Sequence, residues 1–421
     1  MVRRAFLLLL GTLALPAGLT GCGGGYGQSY GPGPMALAPP PQTYQAAAPP
    51  PTAAASRVAI LLPMSGPHAD LGPPMQQAAQ LALDAPGAPA LIVKDTGGTP
   101  DGAAAAARAA LAEGASLILG PLTSAETAAV APVARAANVA VLAFTNDPAQ
   151  AQPGVWPLGI TPGEQVRRLV TAVQGDGKTR IAAMLPDSDF GRVMADALTQ
   201  ATAARGMPPP DIRQYTPSMA SINETARGVS GYADRRGPLD AQIRAARAEG
   251  TPEGRRKAAD LSRQPIPPPP FDALLLGATG DQLAEIAAVL PYYDIDTSTV
   301  RILGPALWGA SGGGQIVGAW YAAPDPASRE PFEQAFVAKY NAPSPPLTDL
   351  AFDAAAIARV LAPRGYSMGA LIQPNGFAGV DGWLALQPDG SVRRGLAVFQ
   401  IERGGAQLLA PAPESPTAPG A

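Results

Sequence analysis

Short, wholly apolar segments alternate with alanine-rich segments of helical spacing from Arg57 to Phe144, and this alternation leaves few architectures open. Val58-Ala59-Ile60-Leu61-Leu62 ends at Pro63, Leu91-Ile92-Val93 and Leu117-Ile118-Leu119 follow, and Val139 to Phe144 makes a fourth run. Runs this short, without polar alternation, are strands buried on both faces. Three helical stretches lie between them. Asp70 to Asp84 carries Leu71, Met75, Ala78 and Ala82 on one stripe, Asp101 to Glu113 is stopped by Gly114, and Thr123 to Ala137 is the third. Strand and helix in this order require a parallel sheet with helices on both faces and right-handed crossovers.

The rhythm resumes with a helix over Gly163 to Gln174, a strand over Arg180 to Leu185 and a helix over Asp189 to Ala204. Residues 207–270 interrupt it. They run from Pro208-Pro209-Pro210 to the prolines 267–270 and hold polar, arginine-rich stretches such as Leu239 to Glu249. This reads as an insertion or mobile excursion. Asp272 to Gly277 restores a strand, Asp281 to Leu290 a helix and Val300 to Leu303 a strand. Arg329 to Tyr340 and Thr348 to Leu361 are helical. Val380 to Leu384 and Leu396 to Glu402 flank Gln387-Pro388-Asp389-Gly390, where Asp-Gly between alternating segments signals a hairpin. Two α/β sheets and a closing hairpin predict two lobes.

The chain's only cysteine closes its first apolar stretch. Arg3-Arg4, the Ala/Leu-rich run to Leu19, and Leu19-Thr20-Gly21-Cys22 resemble a bacterial lipoprotein signal peptide. That resemblance implies a lipid on the Cys22 thiol, cleavage before it, and attachment to a membrane outside the cytoplasm. Arg3-Arg4-Ala5-Phe6-Leu7 also resembles a twin-arginine signal, which leaves the export route open. A transmembrane helix fits poorly, because Gly11 and Pro16 break a stretch that is already short. Without Arg3 and Arg4, 28 basic side chains face 33 acidic ones, and no basic cluster offers a footprint for nucleic acid. Residues 22–56, rich in Gly, Pro and Ala, cannot bury enough apolar surface to offset their ordering entropy and read as a disordered tether.

From Arg57 onward the order of segments resembles the type I periplasmic binding-protein fold of leucine-binding type. Ile60-Leu61-Leu62-Pro63-Met64-Ser65-Gly66, Lys94-Asp95-Thr96, Ile118 to Ser124, Ala143-Phe144-Thr145-Asn146, Ala351-Phe352-Asp353-Ala354 and Val380-Asp381-Gly382 carry it in sequence. The resemblance implies two lobes, each a parallel sheet flanked by helices. Residues 57–160 and 322–372 form lobe one, and 161–321 and 373–410 form lobe two. The leader is 1–21 and a disordered tail covers 411–421. Phe271 to Leu276, Leu290-Pro291-Tyr292-Tyr293-Asp294 and Leu303 to Trp308 narrow the resemblance to the penicillin-binding-protein activator lipoproteins. For those proteins the implied partner is a class A penicillin-binding protein, at the outer membrane. The enteric members carry a helical-repeat domain ahead of this one, where the present chain has only the tether.

The resemblance also implies where a cleft ligand would sit. Thr123 and Ser124 stand where amino-acid binders hold the ligand carboxylate, Ser65 belongs to the same cleft, and a helix N-terminus there suits an anion. Thr123-x-x-Glu126 is equally a capping box. Thr145 and Asn146 follow a strand at the edge where open α/β sheets bind ligands, or simply turn the chain. In the second lobe Phe190 replaces the usual tyrosine, Ala278 and Thr279 replace aromatics, and Ala306-Leu307-Trp308 lacks the expected carboxylate. Asp281 is either a substitute for it or a helix cap. A ligand ammonium would therefore lack a partner.

Enzyme readings find less support. Gly309-Ala310-Ser311-Gly312-Gly313 matches a nucleophile elbow, but that order needs a histidine after the serine, and the only one is His68. One histidine and a single lipid-bearing cysteine make a transition-metal site improbable, and no cofactor is expected. Two functions remain. One is a non-enzymatic regulator docking on a peptidoglycan synthase, and the other is the substrate-binding component of an ABC importer for a small ligand in the interlobe cleft.

Overall fold

The computed structural model describes residues 56–310 and 316–413. Cys22, the tether as far as residue 55, the Ser311 loop and residues 414–421 lie outside them.

In the first lobe β1 (Arg57–Leu62), α1 (Gly72–Leu83), β2 (Ala90–Asp95), α2 (Pro100–Ala112), β3 (Leu117–Leu119), α3 (Ser124–Ala136), β4 (Ala140–Ala143) and β5 (Val155–Pro157) follow one another. The strands pair in parallel in the order β2-β1-β3-β4-β5. One face of this sheet packs on the alanine-rich helices α2 and α3 through Ala103, Ala107, Ala110, Ala131 and Ala134. Small side chains let these helices lie close to the strands.

The second lobe begins with α4 (Pro162–Gly175), β6 (Ile181–Pro186), α5 (Asp189–Ala204), β7 (Asp211–Tyr215) and α6 (Met219–Val229). It continues through α7 (Tyr232–Ala248), α8 (Pro252–Ser262), β8 (Ala273–Leu276), α9 (Gly280–Val289), β9 (Arg301–Gly304), α10 (Leu307–Ala310) and β10 (Trp320–Ala323). The chain then returns to lobe one as α11 (Pro326–Tyr340), α12 (Thr348–Leu361), α13 (Met368–Leu371), β11 (Phe377–Gly379), β12 (Gly382–Leu386) and β13 (Val392–Arg394). It ends in lobe two as β14 (Ala397–Glu402) and β15 (Gly405–Ala410). The second sheet has the order β15-β14-β10-β9-β8-β6-β7, parallel from β10 to β7, with β14 and β15 antiparallel at the other edge.

Three sequence expectations are corrected. Residues 207–270 are not one excursion, since β7 pairs with β6 and α6 packs its Ile222, Ala226 and Val229 into the lobe core. β7 is missed as a strand because it is an edge strand whose Asp-Ile-Arg-Gln-Tyr is mostly solvent-facing. Only α7 and α8 leave the βα pattern, as a helical hairpin with its own small core of Ile243, Ala246, Ala258 and Leu261. The hairpin around Asp389-Gly390 joins β12 to β13, whereas Ala397–Glu402 pairs with β10. Finally, Phe377, Val380, Leu384, Leu386 and Val392 fill the first-lobe core, so the chain stays in lobe one past residue 373 and leaves it only at Arg394. The lobes are thus joined by three crossings, at 158–162, 323–326 and 393–396.

Candidate functional site

Parallel strands deliver their following loops to one edge of the sheet. In lobe one, β1, β3 and β4 are neighbours, so Ser65, Thr123, Ser124, Thr145 and Asn146 are gathered along that edge. The loop after β3 is fastened to the one after β4 by the Phe144 N–H donating to the Pro121 carbonyl at 2.9 Å. In lobe two, Phe190, Thr279 with Asp281, and Trp308 follow β6, β8 and β9, which also neighbour one another. No hydrogen bond or ion pair links Ser65, Thr123, Ser124, Thr145 or Asn146 to Phe190, Thr279 or Asp281 among the described residues.

The hydroxyls of the first-lobe edge are engaged internally, three of them by carboxylates. Ser65 Oγ donates to Asp95 Oδ2 at 2.6 Å, and the same carboxylate accepts the N–H groups of Met64, Ser65 and Gly97. The Ser65 bond, with these N–H groups, holds the Asp95 carboxyl below the usual range. Gly66, at φ +71°, permits this turn, because a Cβ there would overlap the Gly97 carbonyl oxygen. Thr123 caps α3 in a full capping box. Its Oγ1 accepts from the Glu126 N–H at 3.3 Å and donates to Glu126 Oε2 at 2.8 Å, and its N–H donates to the same oxygen at 3.0 Å. Ser124 Oγ donates to Asp147 Oδ2. Burial pushes the Asp147 carboxyl up, but the bonds from Ser124, the Ala149 N–H and Gln150 outweigh it and leave it below its ordinary value. Thr145, buried, accepts the Asp147 N–H at 3.1 Å. Asn146 is exposed.

The second-lobe edge offers less polarity. Phe190 stands in the first turn of α5 and is 37 % exposed. Thr279 precedes α9 without a side-chain capping bond, and Asp281 is exposed in that helix's first turn. Where the resemblance led one to look for a carboxylate, Trp308 is buried. Its ring closes over Gly304, whose place would admit no Cβ, and its Nε1–H donates to the Ala278 carbonyl at 2.8 Å. The Ala306 N–H is taken by Gln165 Oε1 at 2.9 Å. Sequence reading missed Asp95, Asp147 and Gln165 as partners, since each acts through a loop or helix brought alongside by the fold.

Comparison with known proteins supplies the wider frame. A family model described as periplasmic binding protein matches residues 56–363. This chain belongs to the periplasmic binding protein family. Among solved structures, a putative branched-chain amino acid ABC transporter protein from Rhodospirillum rubrum is 19 % identical, with a TM-score of 0.62 over 85 % of this chain and 100 % of that one. The C-domain of LpoA (YraM) from Haemophilus influenzae, a regulator of PBP1A, is 18 % identical, with a TM-score of 0.60 over 84 % of this chain and 100 % of that domain. Against full-length LpoA of the same organism the score is again 0.60, covering 59 % of that chain. An uncharacterized protein of Rickettsia prowazekii is 24 % identical over 178 residues, 42 % of this chain. The match spans about half, 48 %, of that curated relative. These likenesses to solved structures establish a periplasmic binding protein fold.

Proposed function

We propose that this periplasmic binding protein is a non-enzymatic envelope lipoprotein that regulates peptidoglycan synthesis by docking on a class A penicillin-binding protein. Cys22 carries its lipid anchor at the outer membrane and residues 22–56 form its tether. One observation carries the reading. Thr123 and Ser124, where a ligand carboxylate would be received, already serve Glu126 and Asp147, and Ser65 in the same cleft serves Asp95. A ligand carboxylate entering that edge meets like charges, and an ammonium finds Trp308 where it needs an acid. The likeness to the LpoA C-domain over most of the chain agrees with this.

The test is a pull-down of the purified, unlipidated chain carrying Cys22→Ala against the organism's class A synthases, with glycan polymerisation rate as readout. Binding with a faster rate supports the reading, and the absence of both binding and a rate change overturns it. The importer reading draws on the likeness to the Rhodospirillum rubrum protein, and it predicts saturable binding of a small ligand sensitive to Thr123→Ala and Thr145→Ala.

A further inference from the structure

The strongest concentration of buried charge lies away from the cleft edges, beside the crossings between the lobes. Asp349 and Asp353 stand one helical turn apart on α12, and Asp381 lies in the turn between β11 and β12. All three are buried. Asp353 Oδ1 accepts the Val380 N–H at 2.7 Å, while its Oδ2 has no partner among the described residues. From α11, Arg329 reaches Asp349 and Asp381, each at 3.5 Å, and donates to Ser344 Oγ at 3.2 Å. From the end of β13, Arg394 is 2 % exposed. Its N–H donates to Glu164 at 2.7 Å and its Nη2 to the Leu158 carbonyl, but Nε and Nη1 have no partner among the described residues. Glu164 is itself paired with Arg167 and approached by Arg393. A cavity of about 500 Å³ gives access to the group, lined among others by Asp325, Arg329, Ser344, Asp349 and Asp381.

The placement of these groups relates them to movement. Asp325 belongs to the 323–326 crossing, Arg394 to the 393–396 crossing, and the Leu158 carbonyl begins the 158–162 crossing. Three carboxyls face two guanidiniums, so full ionisation would leave an uncompensated negative charge in the interior. The structure also holds an open acceptor on Asp353 and two open donors on Arg394, the separate halves of an ion pair that is not made.

We propose that this group is a proton-operated latch on the hinge. With Asp353 and Asp381 protonated, Arg394 stays on the Leu158 carbonyl, as seen. When they ionise, Arg394 is drawn towards them, the ion pair closes, and the third crossing shifts against lobe one and changes the angle between the lobes. Burial raises the Asp353 carboxyl to about 7, partly offset by Arg394, and burial with the Asp349 hydrogen bond raises that of Asp381. The switch therefore operates around neutral pH. It does not depend on which partner or ligand the protein serves.

The experiment measures the distance between nitroxides at Ala137→Cys in lobe one and Ala203→Cys in lobe two, in the full chain carrying Cys22→Ser, from pH 5.0 to 8.5. The distance distribution is expected to shift between about pH 6 and 8. Asp353→Asn is expected to hold the low-pH distribution throughout, with near-UV circular dichroism confirming its fold. A distribution that does not change with pH, or one that changes equally in Asp353→Asn, overturns the proposal. If the variant fails to fold, carboxyl carbon NMR of the unsubstituted chain decides. Buried aspartates titrating only near pH 4 sink the idea, and titration near neutrality, together with the pH-dependent shift in distance, upholds it.

Discussion

Replacing Thr123 by alanine separates its structural work from any ligand role. The hydroxyl makes two bonds within the capping box, accepting from the Glu126 N–H and donating to the Glu126 carboxylate. Loss of an N-cap side chain costs about 1 kcal/mol. The second bond is to a carboxyl group that is 1 % exposed and whose other oxygen, Oε1, is already without a partner among the described residues. Taking a hydrogen bond from a buried polar group costs about 1–3 kcal/mol, and here only the Thr123 N–H would remain to Glu126. Thr123→Ala should therefore destabilise by about 2–4 kcal/mol, whereas Thr123→Ser, which keeps both bonds, should cost less than about 1 kcal/mol. Urea unfolding followed by far-UV circular dichroism at pH 7 reads this directly. With a slope of about 3 kcal/mol/M, the alanine midpoint falls by about 1 M at unchanged slope. In a double-mutant cycle, Glu126→Ala should remove most of the alanine effect, because the two side chains act as one unit. An alanine loss below about 0.5 kcal/mol, or additivity with Glu126→Ala, would refute the capping argument and return Thr123 to the ligand site.

Other outcomes follow from the same contacts. Millimolar leucine should leave the melting temperature unchanged by differential scanning fluorimetry, although a ligand present at 1,000 times its Kd would add about 4 kcal/mol; a rise of several degrees contradicts the reading of the edges. Trp308→Ala should cost about 3–5 kcal/mol in urea, since it empties a buried indole site and leaves the Ala278 carbonyl unpaired; a loss under about 1 kcal/mol would show that lobe two does not rest on it. The Arg180 hydrogen bond and ion pair hold the Asp272 carboxyl at about 2. Its stabilisation is therefore complete above about pH 4 and disappears as pH falls through about 2. Because Arg180 is half exposed, Asp272→Asn should cost only about 1 kcal/mol at pH 7, with the difference vanishing in an acid titration.

The regular parts of this protein were legible because burial on two faces leaves a local trace. β1, β3 and β4 are apolar without alternation, and α1 to α3 repeat alanine with other apolar residues at helical spacing; no distant residue is needed to recognise either, whereas β2, which ends in Lys94-Asp95, is the edge strand of its sheet and only half-buried. The capping box at Thr123 and Glu126 was legible too, since its partners are three residues apart. What escaped depends on neighbours far along the chain. β7 is a strand because β6 lies beside it, although its own residues favour solvent. β12 turns back into β13, and β14 crosses to the other lobe, because Leu384 and Leu386 find their core in lobe one while Val398 finds its own in lobe two. Asp349 and Asp353 are spaced by one turn on an apolar helix face, which marks them as unusual. Arg394, however, comes near them, without pairing, only because the chain returns to the hinge 41 residues after Asp353. Local propensity and periodicity therefore determined which segments are strands and helices. Tertiary packing decided which edge is covered, where the chain changes lobe, and which charges are buried together, because those outcomes are settled by the water that distant segments exclude.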